Sequence, residues 1–300
     1  MKKIFLFGIF ILFLCISAGG FLFAKKNKEA IYKKSAITHK AFALQSHKIQ
    51  STAPWQQNKE PSQKIPKGFT VTVPIFMYHH IREFTGTMTP LARGLSVTPE
   101  SLEKQLQYFQ KEGFTSLTLE EFTRHITTQE ALPLKSVMFT FDDGYQDFYY
   151  NAFPLFKKYN IHAIVFIITH DVGTPDYLTW DQIHDMDTSG LIEFGSHTLT
   201  HLELSKESIE KQKEEIVQSK ELLEKKLGKK IAFFCYPYGK YTQVTVNLVK
   251  DTGYEGAFTT HFGITHGLAN AYEFPRVRIG DGDVDIHLQK KMEKLLGLKK

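Results

Sequence analysis

Ser136-Val137-Met138-Phe139-Thr140-Phe141-Asp142-Asp143-Gly144 runs from apolar and β-branched residues straight into two carboxylates and a glycine. A short apolar run without helical period, closed by a turn signal, reads as a buried strand. Side chains of successive strand residues point to opposite faces, so a chain ending in Asp-Asp must leave the strand here. Two adjacent carboxylates at such an end can divide labour, one holding a metal and the other left free as a base. A solvated Asp-Asp-Gly turn has the same letters.

Outward from this stretch the pattern repeats. Upstream lie an apolar run, Val71–Tyr78, and an amphipathic helix, Pro99–Glu112. Downstream the reading alternates: helix Tyr149–Tyr159, strand Ile161–Ile168, helix Thr179–Thr188 behind a Thr cap, strand Ile192–Gly195, and a long charged helix Ser205–Leu227 stopped by Gly228. Strand Ile231–Tyr236, helix Gln243–Asp251, strand Ala257–Thr260 and a last strand Phe274–Ile279 complete it. Repeated βα units imply a parallel sheet with helices outside, either a closed barrel or an open doubly wound sheet. Each polar cluster falls directly behind a strand, the end at which barrel enzymes keep catalytic groups, and this favours the barrel.

The second cluster is Gly195-Ser196-His197-Thr198-Leu199-Thr200-His201. Two imidazoles four residues apart can reach one ion, and His with carboxylate suits zinc. The chain has 13 histidines, so a chance spacing of this kind also arises without a ligand role. Third comes Phe234-Cys235-Tyr236-Pro237-Tyr238-Gly239, a strand ending in a turn able to present a backbone N–H to an oxyanion.

Together, Thr-Phe-Asp-Asp-Gly at 140–144, His-Thr-x-x-His at 197–201 and Pro-Tyr-Gly at 237–239 resemble the NodB-type polysaccharide deacetylases in order, spacing and strand context. The resemblance implies an α/β fold, a distorted (β/α)7 barrel, and a metal-dependent hydrolase that removes acetyl from N-acetylated sugars. It makes Asp143, His197 and His201 the ligands of a divalent ion, usually zinc, Asp142 the base, and Tyr238 the donor of an oxyanion N–H. Pro74-Ile75-Phe76-Met77-Tyr78-His79-His80 and Tyr177-Leu178-Thr179-Trp180-Asp181 resemble the branch with poly-β-1,6-N-acetylglucosamine and cell-wall deacetylases, where the His after Tyr is the general acid. That residue is His79. The Leu-x-x-His that many members use instead has only Val284-x-x-His287 as a counterpart. Members commonly carry Arg two residues before the Pro of the Pro-Tyr-Gly turn; here that residue is Cys235, which cannot donate a charged hydrogen bond. Arg276 and Arg278 share a face of the last strand, and either offers the planar donors a base needs; the resemblance, in which members carry Pro-Arg-Val at this point as Pro275-Arg276-Val277 does, implies that Arg276 orients Asp142. Tyr145, Trp180, Tyr236 and Tyr238 are aromatic candidates for stacking on sugar rings. An O-acetyl esterase and a binding module without catalysis remain alternatives, and the free base beside the ligands argues against the second.

Composition sets the boundaries. Of 300 residues, 42% are hydrophobic and 23% charged, as in a chain with a full core. The net charge of +5 is uneven: residues 1–69 hold 12 Lys and 2 Glu, which leaves the other 231 residues at −5 and gives no reason to expect nucleic-acid binding. Cys15 lies in an apolar run, so Cys235 has no partner for a structural disulfide. Ile4–Ala24 is uncharged for 21 residues and flanked by lysines, long enough for a signal anchor, with small residues that would also suit a cleaved signal peptide. The expected division is therefore 1–24 anchor or signal, 25–69 flexible basic linker, and 70–300 catalytic domain. The expected partners are an acetylated glycan and, through residues 1–24, the membrane, with the domain in the cell envelope despite more lysines after the apolar run than before it. Oligomeric state leaves no trace in the sequence.

Overall fold

The computed structural model describes residues 68–297; the apolar segment 1–24 and the linker up to residue 67 lie outside the described residues. Among the described residues no helix is long and apolar enough to cross a membrane. Seven strands form the framework: β1 Ile75–Tyr78, β2 Ser136–Phe141, β3 Ala163–Ile167, β4 Ile192–Ser196, β5 Phe233–Cys235, β6 Gly256–Phe262 and β7 Phe274–Arg278. Each pairs in parallel with its successor, and β7 pairs with β1, Val277 opposite Phe76, so the sheet closes into a barrel in chain order. Outside it lie α1 Pro99–Lys111 and α2 Leu119–Thr128, both between β1 and β2, then α3 Phe153–Tyr159, α4 Trp180–Thr188, α5 Ile209–Leu227, α6 Gln243–Asp251 and α7 Asp285–Leu296. Between β6 and β7 the chain forms no α-helix; Thr265–His266 pairs antiparallel with Val71–Thr72 instead.

The two-residue period of the strands sorts the apolar side chains into two cores. Phe76, Tyr78, Val137, Phe139, Phe141, Val165 and Ile167 face the helices. Ile75, Met138, Ile164, Phe166, Phe233, Phe258 and Phe274 fill the barrel, joined by Phe122 of α2, whose ring meets Phe274 edge-on at 5.1 Å. Above this aromatic plug the inward positions turn polar: Thr140 and Asp142 of the β2 line, Cys235 of β5 and Arg276 of β7, all buried. Gly195 of β4 makes room for the plug, since a Cβ there would lie 2.4 Å from the Phe166 ring.

Local chemistry explains where elements start and stop. The strand expected over Val71–Tyr78 is divided at Pro74, which has no N–H for a ladder. The helix expected from Tyr149 begins as a π-turn, Phe148–Ala152, because Pro154 cannot donate to the carbonyl four residues back. The helix expected from Ser205 starts at Ile209: Leu204–Lys206 is a 3-10 turn with Leu204 buried, and the Ser208 side chain caps the Lys211 N–H. Thr179 and Gln182 form a reciprocal capping box that opens α4.

Candidate active site

Asp142 continues the inward face of β2, and its N–H donates to the Tyr78 carbonyl at 3.0 Å. Asp143 would point outward if the strand continued. Its left-handed backbone, φ 76°, breaks the alternation and turns its carboxylate toward the same end of the barrel. Thr198 (φ 68°), His201 (φ 61°) and Tyr238 (φ 58°) share this sparsely populated conformation, so backbone strain is concentrated around the cluster.

The Asp143 Oδ1 atom lies 3.3 Å from His197 Nε2 and 3.2 Å from His201 Nε2. His197 Nδ1 sits 2.8 Å from the Cys235 carbonyl, which can only accept, so this nitrogen carries the hydrogen. The neutral ring then turns a bare Nε2 lone pair toward Asp143. His201 Nδ1 pairs with the Tyr238 hydroxyl at 3.2 Å. Asp143 Oδ1 is buried without a hydrogen-bond partner. Convergent acceptors around an orphaned carboxylate oxygen repel one another unless a cation lies between them, and these donors fit a divalent one. With no ion between them the His197 ring would instead be held protonated, and the charge and hydrogen bonds of the imidazoles would then outweigh burial and keep the Asp143 carboxyl well below the usual carboxylate range.

The loop carrying both histidines is fixed from within and from behind. Thr198 Oγ1 accepts the His201 N–H at 2.9 Å. The fully buried Glu215 of α5 accepts from the Thr200 N–H and from the Thr200 hydroxyl, each at 2.7 Å. Nothing in the sequence distinguishes Glu215 from its charged neighbours; only the packing of α5 behind β4 identifies it.

Asp142 is held by Arg276, which places its five N–H groups on five acceptors. NH1 and NH2 grip Asp142 Oδ1 and Oδ2 at 2.7 Å each, NH1 also meets Thr140 Oγ1 at 2.9 Å, Nε the Thr259 carbonyl at 2.9 Å, and NH2 the Cys235 Sγ at 3.2 Å. Asp142, His197 and Cys235 also lie close enough to suggest an ion site. The guanidinium already supplies the positive charge there. Burial would raise the Asp142 carboxyl; the charge and hydrogen bonds of Arg276 prevail and keep it below its ordinary value. Arg278 is exposed at the rim. His79 Nε2 stands 4.0 Å from Asp142 Oδ2 on the open side, and burial, against the pull of both aspartates, lowers its imidazole below the ordinary range. His287 is exposed on α7.

The four aromatic candidates separate. Tyr236 is core, stacked on Tyr241 with its hydroxyl on the Tyr272 carbonyl, and Trp180 packs against the helix layer with Lys226 over its ring. Tyr238 stays 57% exposed beside His201. Tyr145 stands at the mouth, stacked on His80 with centroids 3.6 Å apart.

Fold and cluster define a (β/α)7-barrel hydrolase with its polar centre at the C-terminal end of the strands. The sequence profile of the polysaccharide deacetylase family matches residues 129–257. YxkH of Bacillus subtilis (strain 168), named for the same family, is 30% identical over 285 residues, which is 94% of this chain and 95% of YxkH. The poly-β-1,6-N-acetyl-D-glucosamine N-deacetylase of Staphylococcus epidermidis is 30% identical over 202 residues, 63% of this chain and 70% of that protein. Among solved structures, the Streptococcus pyogenes deacetylase PplD in complex with acetate superposes with a TM-score of 0.68 at 32% identity, covering 75% of this chain and all of that one. IcaB from Ammonifex degensii gives 0.64 at 26%, covering 71% and 93%. The chain belongs to the polysaccharide deacetylase family.

Proposed function

We propose that this deacetylase removes acetyl from N-acetylglucosamine units of an envelope polysaccharide, with Asp142 as base, His79 as acid and a zinc ion held by Asp143, His197 and His201. The observation that carries the reading is the Arg276-gripped Asp142 beside three convergent ligand atoms. The edges of 3.2 and 3.3 Å between those atoms suit zinc, because a tetrahedron with bonds of about 2.0 Å has edges of about 3.3 Å. An ion there supplies Lewis acidity to the amide carbonyl and makes a water easier to deprotonate. Asp142, ionised and locked by two hydrogen bonds, accepts the proton of the attacking water. His79, whose Nε2 stands 4.0 Å from Asp142 Oδ2, delivers a proton to the departing amine nitrogen, and burial makes its imidazolium the readier donor. The Tyr238 backbone N–H is assigned to the developing oxyanion. The names of the Staphylococcus relatives support an N-acetylglucosamine polymer, and such a polymer, together with the apolar segment at residues 4–24, supports an envelope location.

Acetate released from β-1,6-linked N-acetylglucosamine oligomers tests the reading, with acetylated xylan as the ester control. Activity should vanish on chelation and return with zinc. The Asp142→Asn variant should retain zinc with turnover at least a hundredfold lower. Undiminished turnover in that variant, or release from xylan alone, would overturn the assignment.

A further inference from the structure

Asp142, His197 and His201 are each fixed by a hydrogen bond from or to a neighbouring group, whereas the His79 ring makes none among the described residues. Its charged neighbour, Asp142 Oδ2, stands 4.0 Å from Nε2, beyond hydrogen-bond reach. What holds the ring in place is therefore the backbone that carries it. That backbone leaves β1 one residue earlier, at Tyr78.

The strand exit is paired on both sides. On one, the His80 N–H donates to the Leu95 carbonyl and the Arg82 N–H to the Val97 carbonyl, each at 3.0 Å, in a short parallel ladder with Ser96–Val97. On the other, side chains at the π-turn stand where a strand would. Asp147 Oδ1 accepts the Ile81 N–H at 3.2 Å, Asn151 Nδ2 donates to the Ile81 carbonyl at 2.7 Å, and Asp147 Oδ2 pairs with His80 Nδ1 at 2.7 Å. Both backbone groups of the fully buried Ile81 are satisfied in this way.

Asp147 occupies the N-cap position of the π-turn Phe148–Ala152, where an aspartate ordinarily accepts from the N–H groups of its own first turn. Here it makes no such cap bond. Its carboxylate reaches back 66 and 67 residues instead, to the two residues that follow His79. Both oxygens are spent there, so Asp147 acts on His79 through the chain and not through its charge.

We propose that Asp147 is a positioning residue for the acid of the reaction: by holding Ile81 and His80 it sets where the His79 imidazole stands when the amine departs. The inference rests on the deacetylase reading above. In that reaction water adds to the acetyl carbon and yields a proton to Asp142; the C–N bond then breaks with its electron pair going to nitrogen, which takes a proton from His79. Without that proton an amine is a poor leaving group, whereas 4-nitrophenolate leaves unaided. Displacement of His79 is therefore felt on an amide far more than on an activated ester, a split that general loosening of the fold does not produce.

In the zinc-loaded full chain, Asp147→Ala should lower kcat on the β-1,6 N-acetylglucosamine tetramer at least tenfold, with KM and zinc content within twofold of wild type. The ratio of tetramer turnover to zinc-dependent turnover of 4-nitrophenyl acetate should fall at least fivefold. His79→Ala should lower that ratio too, and adding Asp147→Ala to it should cost less than twofold more. Asp147→Asn keeps an acceptor for the Ile81 N–H and an amide N–H that the other His80 tautomer can accept, so tetramer turnover should stay within threefold of wild type. Asn151→Ala frees the Ile81 carbonyl and should lower the ratio at least twofold, a comparison that serves even where Asp147→Ala does not fold. Equal losses on both substrates, or equal losses from Asp147→Ala with and without His79, would overturn the positioning role and leave the deacetylase reading standing. A loss in Asp147→Asn as deep as in Asp147→Ala would make charge the cause and overturn it as well. A wild-type chain that cleaves the ester and leaves the tetramer acetylated would overturn the deacetylase reading instead.

Discussion

Arg276 has no spare hydrogen-bonding capacity, and this makes its replacement informative. Lysine keeps the charge but not the fork, so Arg276→Lys should lower turnover at least tenfold with zinc content unchanged. Arg276→Ala should lower it further and also cost about 3–5 kcal/mol of stability, because Asp142 is left buried without its counter-charge. Arg278→Ala, at the rim, should change turnover less than threefold; the reverse ranking would move the role to Arg278. Glu215 calls for a different measurement. Replacing it with Gln sets an amide donor against one of the two Thr200 donors, and zinc affinity measured by chelator competition should fall about tenfold or more, with the far-ultraviolet circular dichroism retained. Unchanged affinity would reduce Glu215 to a packing residue. The motif residues could be read from the sequence because their chemistry lies in short contiguous runs at strand ends. The strand period narrows the partner of Asp142 to Arg276 and Arg278, and the family resemblance of Pro275-Arg276-Val277 selects Arg276. Glu215 could not be read, since it acts on Thr200 from a different element through packing that no local pattern encodes.

Among elements, strands and helices with apolar periodicity were legible; α2 and α7, short and largely polar or charged, were not, and shifts in the bounds of the others trace to single residues. Pro74 divides one strand and Pro154 converts a helix start into a π-turn. The turn after β5 carries its own prediction. Gly239 has φ 64°, and a Cβ there would stand 2.0 Å from Thr260 Oγ1. Gly239→Ala should therefore cost about 2 kcal/mol or more and shift Tyr238 away from His201. A drop of several degrees in Tm together with weakened zinc binding is the expected pair of results; a drop in neither would show that the turn adapts freely.

At the scale of the molecule, acid sensitivity follows from the lower end of the barrel. His266 is buried between Phe122 and Phe274 with Nε2 donating to the Val73 carbonyl at 2.8 Å. Burial, only partly opposed by that hydrogen bond, pushes its imidazole down to about 4 from 6.5. Above pH 6.5 the folded and unfolded chains are both neutral at this site and its contribution is intact. Between pH 6.5 and 4 only the unfolded chain takes up the proton, so stability falls by about 3 kcal/mol across that window. Glu193, at the start of β4, is raised by burial to about 7 and has the opposite slope, losing stability as pH rises from 4.5 to 7. His266→Gln should therefore flatten the acid limb of Tm against pH, and Glu193→Gln should stabilise the chain more at pH 8 than at pH 4.5. Profiles unchanged by both would remove this account.

Cys235 lies fully buried under Arg276, and Cys15 is the only other thiol in the chain. With Cys15 replaced by Ser, a thiol-specific label can react only in the moments when the barrel opens. Its rate is then a clock for opening, read without any sugar. Timing that clock with zinc present and with zinc withdrawn measures how far the ion holds the strands shut, so the cysteine that stands in the expected place of an arginine reports on the integrity of the site it borders.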